Sequence, residues 1–174
     1  MIYNADTVIE KARFLCESAN TLDVPVIVTE QYPKAFGPTV PEIKSTLKSD
    51  NTIYEKKLFS MLTEEVESKL NNLNKDQVIL CGIEAHVCVM QTALDLLDKG
   101  KEVFLVCDGI SSQRSHDRAV ALEALRTAGA AFGTSESIIF DMIRSAGHPQ
   151  FKSISQGLKD HNLKLNEFAK NNAV

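Results

Sequence analysis

The chain has 174 residues, 44% of them hydrophobic, and a formal net charge of −4 at pH 7. This length and composition predict one globular domain with a substantial buried core. The acidic balance argues against nucleic-acid binding, and no apolar run approaches the ~20 residues of a membrane-spanning helix.

Helical and strand-like patterns alternate along the chain, without a repeat or a low-complexity linker. In chain order, the apolar periodicity and the turn residues predict a helix over 6–22, a strand over 25–29, a loop over 31–41, a strand over 52–56, a helix over 63–70, a strand over 77–81, a helix over 86–99, a strand over 102–107, a helix over 115–128, a strand over 131–133, and helices over 135–146 and 149–159. Residues 1–160 are assigned to a single domain and residues 161–174 to a polar C-terminal tail.

Three predicted strands are apolar on both faces, around Val26-Ile27-Val28, Val78-Ile79-Leu80 and Val103-Phe104-Leu105-Val106. Such strands are typical of a parallel sheet covered by helices on both sides. The predicted fold is therefore α/β, a doubly wound open parallel sheet in three α/β/α layers. Ligands of such sheets bind beyond the carboxyl ends of the strands.

Cys88 stands about where the strand over 77–81 turns into the next helix. The first N–H groups of a helix have no intrahelical partner, and a thiol placed there loses its proton more easily. Lys56 ends another predicted strand, so its ammonium is expected at the same edge, where it would stabilise a thiolate. The alternatives are a buried, inert cysteine and a solvated surface lysine beside Lys57.

The remaining cysteines and histidines give no sign of a metal site. Cys16, Cys81 and Cys107 show no C-x-x-C spacing, and Cys81 and Cys107 lie within apolar runs. No histidine has a partner at metal-ligand spacing, and no glycine-rich nucleotide motif occurs. The sequence therefore predicts no cofactor. It favours a reducing, cytoplasmic setting, and the acidic N-terminal residues do not form a signal or transit peptide.

The segment Gly82-Ile83-Glu84-Ala85-His86-Val87-Cys88-Val89, followed by Thr92, resembles the nucleophile segment of the isochorismatase-like cysteine hydrolases. Segments beginning at Val28, Lys56, Asp108 and Thr134 fit the same family in the same order. The resemblance covers nearly the whole chain. Taken together, these segments are similar to those of the eukaryotic isochorismatase domain-containing proteins.

The resemblance implies a six-stranded parallel sheet and an Asp–Lys–Cys triad, in which Cys88 matches the nucleophile and Lys56 the lysine. It also implies a cis peptide bond at Ile83–Glu84, which directs backbone N–H groups at an oxyanion. The candidate substrate-pocket residues are Glu30, Gln31, Tyr32 and His86. Metal-using relatives carry histidines in the segment matching residues 29–37, and this chain has none there.

The implied activity is hydrolysis of a C–N amide or related bond of a small molecule, by a homo-oligomer that uses no metal. The triad aspartate and its N-terminal strand have no counterpart in this sequence, since Asp6 and Asp23 stand in other contexts. A catalytically impaired binding or scaffold protein is therefore the alternative, and a redox-sensing thiol at Cys88 is a weaker one. Three outcomes are open for the strands over 24–29 and 77–81, which would flank the missing strand: the two strands close up, another peptide segment fills the slot, or the isolated chain is poorly stable and aggregates.

Overall fold

The computed structural model describes residues 1–171, in which helices alternate with parallel strands. The helices are α1 (Ala5–Thr21), α2 (Pro33–Phe36), α3 (Pro41–Lys44), α4 (Glu64–Leu73), α5 (Met90–Asp98), α6 (Ser115–Thr127), α7 (Ser135–Ile143) and α8 (Phe151–Asn171). The strands are β1 (Val28–Gln31), β2 (Ile53–Lys56), β3 (Gln77–Ile83), β4 (Glu102–Ser111) and β5 (Ala131–Gly133). A π-helical turn over Ala85–Val89 leads from β3 into α5.

The five strands form two parallel sheets, β1–β2 and β3–β4–β5. The α/β class with parallel strands is as the sequence predicts. The strands predicted over 25–29 and 77–81, which are β1 and β3, do not pair with each other, and no other segment within residues 1–171 pairs with both of them.

The core lies on both faces of β4, whose successive side chains point in opposite directions. Val103 and Leu105 belong to a cluster with residues of α5 and α6. Val106, with Phe104 packed beside it, belongs to a second cluster with residues of α1, α7 and α8. This arrangement gives the three layers that the apolar strand pattern predicts.

Several predicted boundaries differ from the observed ones, and in two cases contacts with residues distant in sequence explain the difference. The first strand begins at Val28 and not at residue 25, since its pairing with β2 starts at Val28 and Ile53. The last helix continues to Asn171, whereas the sequence pattern predicts its end at residue 159. Of the predicted tail, residues 161–171 are therefore helical, and residues 172–174 lie outside the described part of the chain.

His161 explains why α8 continues past residue 160. Its imidazole is fully buried and stacks on Phe14 of α1, with the ring centroids 5.0 Å apart. Burial lowers the pKa of His161 to about 4 from an ordinary 6.5; nearby Lys11 and Arg13 also lower it, and Glu10 opposes them. The helix packs with a neutral imidazole, because a charged ring there would lose its hydration.

This burial predicts a loss of stability in acid. Between pH 6.5 and about 4 the unfolded chain binds a proton at residue 161 and the folded chain does not, so the free energy of unfolding falls as the pH falls. The loss from this group reaches roughly 3 kcal/mol. His161→Phe keeps the aromatic stack but cannot titrate. Its free energy of unfolding, measured with urea at a series of pH values, should therefore rise relative to that of the parent as the pH falls from 6.5 to about 4. Parallel pH curves for the two proteins would contradict the assignment.

Candidate active site

Lys56 is the last residue of β2, and its side chain turns inward. It is 6% exposed, and its Nζ donates to Gln31 Oε1 at 2.6 Å, Phe59 O at 2.7 Å and Leu58 O at 3.0 Å. These acceptors hold the ammonium at the carboxyl edge of the β1–β2 sheet. Burial lowers the pKa of Lys56, while Cys88 raises it through charge and hydrogen bonding. The thiol and the ammonium, far apart in sequence, are therefore neighbours.

Cys88 lies in the π-helical turn that follows β3, and it is partly exposed. Thr92, one turn further on, donates its hydroxyl to Cys88 O at 2.6 Å. The same Thr92 Oγ1 accepts the backbone N–H of Met61 at 2.9 Å. One buried hydroxyl thus fixes the cysteine turn against the segment that follows Lys56, and this orients the two candidate residues relative to each other.

The peptide bond between Ile83 and Glu84 is cis. The carbonyl of Glu84 accepts the N–H groups of Val87 and Val89, each at 3.1 Å, and so closes the turn around Cys88. The Glu84 carboxylate accepts the backbone N–H of Gln113 at 2.8 Å. Glu84 therefore ties the cysteine turn to the segment that follows β4.

His86 is exposed, and its Nδ1 lies 2.9 Å from the buried Ser112 Oγ. Ser112 is fully buried just beyond the end of β4, so it sets the orientation of an imidazole two residues before Cys88.

The last residues of β1 and the residue that follows it have different roles: one contacts Lys56, and the others hold or border the next loop. Gln31 contacts Lys56 directly, as described above. Glu30 accepts the backbone N–H of Thr39 at 2.7 Å, which holds the loop and occupies that carboxylate oxygen. Tyr32 is 41% exposed, and the exposed Lys57 lies over its ring at 5.0 Å from the centroid. Lys56 and Lys57 thus occupy opposite environments, inward and outward.

Three partners in this arrangement received no role from the sequence: Thr92, Ser112 and Gln113. Thr92 stands four residues after Cys88, the spacing at which a hydroxyl bonds a helical carbonyl, so this contact had a readable signal. Ser112 and Gln113 meet His86 and Glu84 across more than 25 residues. Only the pairing of β3 with β4 brings them together.

The site has a buried positive charge without an acidic partner among the described residues. The ammonium of Lys56 contacts one amide oxygen and two backbone carbonyls, and no acidic side chain within residues 1–171 forms an ion pair with it. Asp108, within β4, is engaged elsewhere: its carboxylate accepts hydrogen bonds from Ser135 and pairs with Lys11 at 3.1 Å. No cluster of three metal-binding side chains occurs in this part of the chain either.

The other three thiols occupy environments that disfavour the thiolate. Burial raises the pKa of Cys81 to about 12. It also raises the pKa values of Cys16 and Cys107, although a hydrogen bond from Thr46 and the charge of Arg118, respectively, partly oppose it. None of the three has a neighbouring ammonium like that of Lys56.

Comparisons with known proteins agree with the family resemblance in the sequence. The isochorismatase domain model matches residues 2–137. The secreted isochorismatase effector Isc1 of Phytophthora sojae is 46% identical over 165 residues, covering 92% of this chain and 79% of that protein. Isochorismatase domain-containing protein 2 of Xenopus laevis is 43% identical over 150 residues, covering 86% and 72%.

A solved structure has a similar fold. It is described as the MAR1 ribonuclease from Caenorhabditis elegans, is 41% identical, and superimposes with a TM-score of 0.87. The match covers 90% of this chain and 80% of that one. No helix within residues 1–171 is both long and apolar enough to cross a membrane.

Cys88 is expected to be the thiol that limiting iodoacetamide labels first, as read by peptide mapping near neutral pH. It is partly exposed beside an ammonium, whereas burial keeps the other three thiols protonated. Lys56→Met should slow its labelling by about tenfold or more, because the positive charge beside the thiol is lost. Lys57→Met, which changes a neighbouring outward-facing lysine, is the matched control. Faster labelling of Cys16, Cys81 or Cys107 would contradict this assignment.

Proposed function

This chain belongs to the isochorismatase family, and from that premise we propose that it hydrolyses a C–N amide or related bond of a small molecule with Cys88 as the nucleophile. The observation that carries the proposal is the buried ammonium of Lys56 beside the Cys88 thiol, where the strands of both sheets end. Open α/β sheets bind their ligands at this edge.

In the amide case, the Cys88 thiolate attacks the carbonyl carbon and a C–S bond forms. The C–N bond then breaks, and the leaving nitrogen takes a proton as the amine departs. Water cleaves the resulting thioester, which releases a carboxylic acid and restores the thiol. Lys56 favours the thiolate, and backbone N–H groups of the turn from Glu84 to Cys88 are proposed to hold the oxyanion. Gln31, Tyr32 and His86 are proposed to line the pocket, with Glu30 supporting its loop.

The proton transfers in this scheme need a carboxylate, and the acids near the site are already engaged. Glu30 binds Thr39, Glu84 binds Gln113 and Asp108 binds Ser135. A positioned acid–base group contributes about 10²–10⁴-fold to such reactions, so the chain is proposed to turn over slowly. The same observation favours the second candidate function, a binding or scaffold protein that retains the fold and the nucleophile.

We propose small molecules as the substrates, although the similar structure described above carries the name ribonuclease. A net charge of −4 gives little attraction for a phosphate backbone. Four free cysteines fit a reducing, cytoplasmic setting. We further propose a homo-oligomer, because the loops after β1 and β2 expose Tyr32, Phe36, Leu58 and Phe59.

Hydrolysis over a panel of small amides, with an RNA oligonucleotide included, tests the activity. We expect slow turnover of at least one amide, reduced to the uncatalysed rate in Cys88→Ser and by about tenfold or more in Lys56→Met. Lys57→Met should keep the parent rate. Added acetate, compared with chloride at equal ionic strength, should accelerate the parent and leave Cys88→Ser unchanged, because a free carboxylate can serve as the missing acid–base group.

Other results of this assay separate the two functions. Turnover that persists in Cys88→Ser would exclude this cysteine as the nucleophile. No turnover with or without acetate, in a protein whose Cys88 still alkylates first, would favour the binding protein.

The mass in solution tests self-association. Light scattering at micromolar concentration should give a multiple of 19.2 kDa. Phe36→Ser combined with Leu58→Ser should shift the mass toward one chain, because both side chains are more than half exposed and lie in the loops beside the site. Val120→Ser, at an exposed position of α6, is the control. A single-chain mass for the parent would contradict the oligomer.

A further inference from the structure

Thr92 is a polar residue in an apolar part of the fold. It is 2% exposed on α5, and its helix neighbours Ala93 and Leu96 belong to the core cluster that contains Val103 and Leu105. Burial of a hydroxyl group without a hydrogen bond costs free energy, and valine would fill nearly the same volume without that cost. The hydroxyl group at position 92 is therefore explained by the bonds that it makes.

The two hydrogen bonds of this hydroxyl group have fixed directions. Thr92 donates its hydrogen to Cys88 O at 2.6 Å, and its oxygen accepts the backbone N–H of Met61 at 2.9 Å. A hydroxyl group has one hydrogen to donate, and an N–H group can only donate, so the two roles cannot be exchanged. Serine at this position could make both bonds, whereas valine and alanine could make neither.

The bond to Cys88 O holds the peptide group that directly follows the candidate nucleophile. The turn over Ala85–Val89 is π-helical, and α5 begins at Met90. Such turns are rare and occur frequently at functional sites. A threonine hydroxyl can bond the helical carbonyl four residues before it. Thr92 therefore fixes the backbone of Cys88 at the point where one helical geometry passes into the other.

The bond from Met61 reaches the segment that holds the ammonium of Lys56. Phe59 O, two residues before Met61, accepts from Lys56 Nζ at 2.7 Å. Ser60, between them, is 2% exposed, and its Oγ accepts the backbone N–H of Leu62 at 3.2 Å. These contacts make the segment a short, internally bonded turn. A shift of Met61 would therefore be passed on to the carbonyl group that holds the ammonium.

Thr92 thus connects the surroundings of the two candidate reactive groups. Lys56 ends β2 and Cys88 lies in the turn after β3, and these two strands do not pair with each other. Hydrogen bonds between β2 and β3 therefore do not fix the separation of the thiol and the ammonium. The polar connection runs from Lys56 Nζ through Phe59 to Met61, and from Met61 through Thr92 to Cys88 O.

We propose that Thr92 is a positioning residue of the candidate active site, whose hydroxyl group holds the thiol of Cys88 beside the ammonium of Lys56. Because Thr92 is buried, it acts through these two residues and does not contact a substrate. The inference rests on the proposed function for the role of Cys88 as the nucleophile. Its main test measures alkylation of Cys88 and needs no substrate.

The rates at which neutral iodoacetamide and anionic iodoacetate alkylate Cys88, compared at one pH and one ionic strength, test the positioning role. A nearby ammonium attracts the anionic reagent and favours the thiolate that both reagents require. Thr92→Val should slow alkylation by iodoacetamide about three- to tenfold, and should lower the ratio of the iodoacetate rate to the iodoacetamide rate toward that of Lys56→Met. Thr92→Ser should keep both values within about twofold of the parent, because serine retains the hydroxyl group.

A double variant shows whether Thr92 acts through Lys56. Once Lys56→Met has removed the ammonium, Thr92→Val should have little further effect on either rate, because residues that act through one contact are not additive. Thr21→Val is the matched control and should keep the parent rates, since Thr21 Oγ1 also donates to the carbonyl four residues before it, Glu17 O, at 2.9 Å. Urea unfolding checks that each variant is folded, and Thr92→Ala, which also lacks the hydroxyl group, replaces a valine variant that is not.

Four results would overturn the inference. They are parent rates and a parent reagent ratio in Thr92→Val, equal slowing in Thr92→Ser, equal slowing in Thr21→Val, and full additivity with Lys56→Met. For any amide that is hydrolysed, Thr92→Val should lower kcat with little change in KM, since the hydroxyl group does not bind the substrate. A protein that hydrolyses no amide can still be alkylated, so failure of the proposed function and failure of this inference are separate results.

Discussion

Burial of β4 on both faces is the constraint on which the site depends. Its side chains alternate between two helix layers, and Val103, Leu105 and Val106 have almost no contact with solvent. A strand held in this way cannot shift its register without exposing one set of side chains. Since β3 is paired along it, the point where β3 ends and the cysteine turn begins is fixed as well.

From that fixed edge, a few polar contacts place the reactive groups. Ser112 and Gln113, just past β4, bind His86 and Glu84 on either side of the start of the turn. Thr92 ties the turn to the segment after β2. These contacts orient Cys88 toward Lys56, although the two residues come from different sheets. The proposed chemistry therefore relies on contacts that hold the sheets together without strand pairing.

The sequence by itself determined the order and type of the main elements, because helix and strand periodicity are local properties of an amphipathic chain. It also placed Cys88 after a strand and Lys56 at the end of another, since strand ends converge at one edge of a parallel sheet. The tertiary structure alone decided that Lys56 points inward while Lys57 points outward, that the strands form two separate sheets, and that α8 continues through a buried His161. These features depend on partners that are distant in sequence, and local periodicity contains no information about such partners.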